Sequence, residues 1–194
     1  RAKSEAFEPA LRTAAIAVLS SPHFLYLREP AGALDDYALA SRLSYFLTRT
    51  APDAELLDLA QAGKLRGNLH GQTERLLKDD RFERFITDFT QSWLNLREID
   101  FTIPDRTLYP EYEPYLRFSM PRETEAFLRE LIAGNHPASA IVKTDFAMIN
   151  DRMAEHYGID GVAGPQFRKV ALPANSWRGG FLRQGSVMPV SANG

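Results

Sequence analysis

Asp80-Arg81-Phe82-Glu83-Arg84-Phe85-Ile86-Thr87-Asp88-Phe89-Thr90-Gln91-Ser92-Trp93 is the stretch that decides the fold class of this chain. Phe82, Phe85, Ile86, Phe89 and Trp93 fall at i, i+3, i+4, i+7 and i+11, so all five lie on one face of a 3.6-residue helix. A strand would scatter them over two faces. Asp80 offers a capping oxygen at the start. The stripe is predicted to be a core face, because each buried Phe contributes about 1.5–3 kcal/mol. Only Trp93 and the tyrosines that follow, Tyr109 and Tyr112, are candidates for stacking against a ligand.

Working back from this segment, the chain repeats helix signals. Leu34-Asp35 reads as a staple residue and N-cap for a helix over 36–48, with Leu39, Leu43, Phe46 and Leu47 as its apolar face. Thr50-Ala51-Pro52-Asp53 starts another, carrying Leu56, Leu57 and Ala60 and stopping near Gly63. A helix around 72–78 precedes Asp80, and one over 9–20 carries Leu11, Ala15, Val18 and Leu19 until Ser21-Pro22 ends it. A short apolar piece, 23–27, and a turn over 29–32 follow that proline.

Working forward, residues 99–114 hold Pro104, Pro110 and Pro114 among aromatics and read as an ordered loop pinned by Phe101, Leu108, Tyr109 and Tyr112. A long helix follows over 113–133, which Pro121 is expected to kink or split at a cost of about 3 kcal/mol. Asn150 can cap a helix to about Tyr157, and the glycine- and proline-rich tail has one strand-like run, 168–172. The fold class is therefore all-α: an irregular bundle of about six to eight helices with a long Pro/aromatic loop and a Gly-rich C-terminal tail.

With 194 residues, 44% of them apolar and 25% charged, the chain can bury a sizeable core and is not a disordered segment. Acids (25) offset bases (23), so no basic footprint for nucleic acid exists. The longest apolar run, 14–19, is too short to span a bilayer, so no membrane insertion is expected. Without cysteine there is no disulfide, no thiolate nucleophile and no C-x-x-C-H, so no cofactor is expected in this chain. The absence of an initiator Met and of a terminating element after Ser191 make both ends look internal.

Candidate chemistry is sparse. Glu123, Glu125 and Glu130 suggest acid–base work, but Glu123 and Glu125 point apart on a helix, and Glu125 with Arg129 forms an i, i+4 pair. A solvated, salt-bridged face is expected. Asp151, Glu155 and His156 come nearest to a metal set, yet nothing like H-E-x-x-H is present and no metal site is expected. His23, His70 and His136 are isolated. The glycines of 178–186 lack the phosphate-loop pattern and read as a tight turn where backbones approach, flanked by Arg178 and Arg183 as possible anion contacts. Glu123 and His156 are the weak catalytic candidates; Trp93, Tyr109, Tyr112, Arg178 and Arg183 are the binding candidates.

Leu34–Leu47, Pro52–Leu57, Phe89–Arg97, Arg122–Glu125 and His156–Ile159 together resemble a bacterial domain of unknown function (domain family fifteen-ninety-two). That domain is found in large planctomycete-type proteins associated with cytochrome c domains. Ser20–Leu25 resembles the end of the domain that usually precedes it, and Arg178–Val187 the start of the next. The resemblance divides the chain into 1–30, a core domain over 31–174, and 175–194. It implies an exported, periplasmic setting, with any haem c elsewhere in the parent and the neighbouring domains, a c-type cytochrome among them, as partners. It carries no catalytic residues. A non-catalytic scaffold or interaction module is the leading expectation. A periplasmic oxidoreductase or polysaccharide-acting enzyme stays open, with a site between the Trp93–Tyr112 aromatics and Glu123 or His156. So does a redox-partner surface on which His156 or Arg183 contacts haem.

Overall fold

The computed structural model describes residues 2–26, 29, 31–101, 104–105 and 107–188, with side chains from residue 7 onward. Expectations touching Leu27, Pro30 and the residues after 188 lie outside this set. The described chain is mainly α-helical with one two-stranded sheet, and it divides into two units, 1–76 and 77–194.

In the first unit, α1 (Ala2–Leu19) is longer than its apolar stripe suggested, and Leu11, Val18 and Leu19 face solvent. α2 (Pro22–Leu25) turns the short apolar piece into one helical turn capped by Ser21. α3 (Asp36–Thr48) begins as expected, with the Asp35 carboxylate accepting from the Ala38 N–H at 2.7 Å. Its buried stripe is Ala40, Ser44, Leu47 and Thr48; of the bulkier set read from the sequence Leu47 is buried, Leu39 and Leu43 are partly so, and Phe46 lies outside. Small residues on that face let α4 (Ala54–Gln61) approach closely, and the hydroxyls of Ser44 and Thr48 satisfy each other and nearby carbonyls. Asp53 caps α4 and also takes both Arg75 donors from α5 (Leu69–Leu77), at 2.8 and 3.0 Å.

The second unit carries the candidate site. Asp79, one residue before the expected Asp80, caps a 3-10 turn over 80–82 that leads into α6 (Glu83–Trp93). The aromatic stripe is core for its first half only. Phe82, Phe85 and Ile86 are buried, whereas Phe89 and Trp93 are exposed at the surface end of a stacked series. The loop after α6 is not pinned by its aromatics, since Phe101, Leu108 and Tyr109 face solvent; Tyr112 alone packs on the core.

α7 (Pro114–Ala133) runs unbroken through Pro121. Nine of its residues are buried, worth far more at about 1.5–3 kcal/mol per large apolar side chain than the roughly 3 kcal/mol penalty of the proline. The Arg122 guanidinium donates to the Phe118 carbonyl at 3.0 Å in the turn the proline loosens. At the C-terminus the left-handed residue is Asn135 (φ 48°), and the His136 N–H reaches back to the Leu131 carbonyl at 2.9 Å.

β1 (Phe146–Ile149) had no distinct sequence signal. It pairs antiparallel with the expected β2 (Arg168–Ala171), in the register Phe146 with Ala171 and Ile149 with Arg168. α8 (Asp151–Tyr157) is capped by Asn150, whose side chain accepts from Met153. β1 and α8 pack against one side of α7, and α6 packs against another.

Candidate functional site

Because α7 is covered on two sides, residues that a two-sided helix would leave wet are sealed. Glu123 is 2% exposed, so the expected solvated acidic face is corrected at this position. Glu125 is half-buried, and Arg129 pairs with Glu83 of α6 rather than with Glu125. Glu130 is held by Lys169 at 2.7 Å and His136 at 3.2 Å.

Glu123 accepts a hydrogen bond of 2.5 Å from the Tyr157 hydroxyl, and that hydroxyl accepts one of 2.7 Å from the Gly185 N–H. The Arg178 guanidinium lies 3.5 Å from the centre of the Tyr157 ring and donates to the Arg183 carbonyl at 3.3 Å. Arg183 in turn donates to the Trp177 carbonyl. One residue along α7, Thr124 meets Gln184 at 2.6 Å and Ser186 at 2.5 Å, and all three are buried. The segment 178–186 is thus tied to α7 and α8 by a buried polar cluster.

The local backbone explains the glycines. A Cβ on Gly179 would stand 2.3 Å from the Thr144 carbonyl oxygen, and one on Gly180 2.1 Å from that of Val142. Both also have positive φ, 109° and 83°. They form the close backbone approach expected of the tail, placing Phe181 (1% exposed) edge-on to Phe127 and Trp93.

Burial pushes the Glu123 carboxyl up to about 7, against the opposing pull of Tyr157, Gly185 and Arg178. Burial, then the neighbouring Glu123 charge, holds Tyr157 protonated well above its ordinary range. His156 is pushed below its ordinary value by burial and then by Arg178 and Arg152. The cluster therefore contains a carboxyl half-ionised near neutrality. Yet the cavity beside it measures about 10 Å³, room for one water and no substrate.

Glu123, Arg178 and Arg183 line that small cavity together. Trp93 touches Phe181, whereas Tyr109 is solvent-facing and Tyr112 packs, partly buried, against the core cluster of Ile99, Leu116 and Met120. None of these three, nor His156, lines the cavities of about 380 and 500 Å³ or the small one beside Glu123. Asp151 takes the Tyr115 hydroxyl at 2.7 Å, and Glu155 pairs with Arg152 at 3.3 Å. Among the described residues no group of three or more side chains is placed to hold a metal. Tyr157 was missed as a site residue; its one signal was the run His156–Ile159, which says nothing of a carboxylate 34 positions away.

Residues 34–159 match the sequence model of a family described as "PSD4: Protein of unknown function (DUF1592)". No curated protein and no solved structure matches the chain.

Proposed function

The chain belongs to the DUF1592 family of proteins of unknown function, and from that premise we propose that it is a non-catalytic helical scaffold or interaction module. Its Glu123–Tyr157–Arg178 cluster acts as a clasp that fastens segment 178–186 to α7. The observation that carries this reading is where Glu123 spends its bonds. Its partners are a tyrosine of the core and a backbone N–H of the fastened segment, inside a space for one water. A general acid must reach a reacting group, and the space beside Glu123 has room for one water and no substrate. The module is part of a larger exported, c-type-cytochrome-associated protein; this setting rests on the resemblance of its motifs. The clasp then fixes the geometry at which the chain leaves the helical domain.

Trypsin tests the clasp at Arg178 and Arg183. Both bonds are expected to resist cleavage in the native protein and to become early cuts in Tyr157→Ala. Early cutting of the native protein at these bonds, or a turnover abolished by Glu123→Gln, would overturn the proposal.

A further inference from the structure

The face of α7 opposite Glu123 presents different chemistry. Arg117, Phe118, Pro121, Arg122 and Glu125 line one side of a groove of about 500 Å³, a volume suited to a small ligand. Thr87 and Gln91 of α6 and the 3-10 turn 96–101, with Arg97 and Asp100, complete it. Three guanidiniums thus meet two carboxylates in a chain whose overall charge is −2.

The three arginines are not equivalent. Arg122 is fixed, its guanidinium 3.4 Å from the centre of the Phe118 ring and bonded to the Phe118 carbonyl. The guanidiniums of Arg97 and Arg117 make no hydrogen bond or ion pair among the described residues, although Asp100 lies on the same groove. Burial raises the Glu125 carboxyl above its ordinary value, against the opposing charge of Arg122 and a hydrogen bond with Thr87. The cavity lined by His136, Lys143 and Lys169 differs: there Lys169 and His136 are already spent on Glu130.

We propose that this groove is a binding site for a small organic or inorganic oxyanion, held between the Arg97 and Arg117 guanidiniums with Arg122 as the fixed third charge. Forked N–H donors match the paired oxygens of a carboxylate or phosphate. The site stands apart from the clasp: it uses the outer face of α7 and none of Glu123, Tyr157 or Arg178.

Calorimetric titration with citrate and, separately, with inorganic phosphate tests it. Single-site binding of either supports the proposal, and which of the two binds tells a carboxylate ligand from a phosphate one. Arg117→Gln is expected to weaken binding about tenfold, and Arg97→Gln with Arg117→Gln about a hundredfold. Arg129→Gln, outside the groove, should bind as the native chain does. Because Arg97 and Arg117 are exposed and their guanidiniums have no partner among the described residues, their variants should melt with the native protein, so a loss of binding is not a loss of fold. Binding of neither anion, or equal binding by the double variant, would overturn the proposal; both outcomes leave the trypsin test of the clasp unaffected.

Discussion

Raising the pH through neutrality should loosen the second unit, and the structure sets the size and sign of the effect. Glu123 has an ordinary value of 4.5, and burial lifts it to about 7 in the fold. At roughly 1.4 kcal/mol per pH unit over that interval, ionising it inside the fold costs about 3 kcal/mol more than ionising it in the unfolded chain. Between these values the folded chain binds the extra proton. Its contribution is therefore fully present below about 4.5 and is lost as pH rises through about 7. His156, pushed below its ordinary value by burial, acts with the opposite sign, so the measurement belongs in a His156→Gln background. Trp93 and Trp177 are the two tryptophans of the chain and both lie in the second unit, so their fluorescence reports its melting alone. In that background Tm should fall by about 10 °C between pH 5 and pH 8. Adding Glu123→Gln should flatten the profile, leaving the protein less stable at pH 5, where the new amide donors lack partners, and closer to the parent at pH 8. A fall of equal size with and without Glu123 would refute the reasoning.

Other substitutions test the same cluster and its frame. His156→Gln should remove an acid-side loss of stability, since a histidine held below its ordinary value by burial and Arg178 destabilises the fold as pH drops below about 6.5; matching acid-side melts would count against it. Tyr157→Phe takes from Glu123 its 2.5 Å donor and should cost about 1–3 kcal/mol by denaturant unfolding, with the pH profile moved upward. Gly180→Ala meets both a backbone oxygen and a left-handed φ, and should cost more than about 3 kcal/mol; a stable variant would show that the 178–186 segment is not seated as described. Asn150→Ala loses the α8 cap and the 3.0 Å bond to Ser119, for about 2 kcal/mol in the same assay.

Helix identity was legible wherever a cap and a period agreed. Asp35 and Asn150 each accept the N–H expected of them, because capping is a local interaction that needs no tertiary partner; Asp53, read as an acid of the first turn behind a cap at Thr50, is itself the cap of α4. Which face of a helix is buried was less legible. α3 turned its small residues inward because α4 approaches closely, and bulk alone misplaced the stripe. β1 escaped notice because a four-residue strand exists only through its pairing with β2, about 20 positions later. Glu123 shows the same limit at the site. On an isolated α7 it is an ordinary surface acid; covered by α8 and the 178–186 segment, it becomes a buried proton carrier. Gly179 and Gly180 could be recognised as a close-approach turn, but their contacts at Val142 and Thr144 could not.

Segment 178–186 is held to α7 through Glu123 and Tyr157. Native-state hydrogen exchange at the Gly185 amide, which donates to Tyr157 at 2.7 Å, measures that directly. At pH 6 the amide should be protected to the level of the α7 core, and in Tyr157→Phe it should exchange far faster while α7 stays protected. Gly185 exchanging like an open loop in the native chain, or unchanged in the variant, would contradict the clasp.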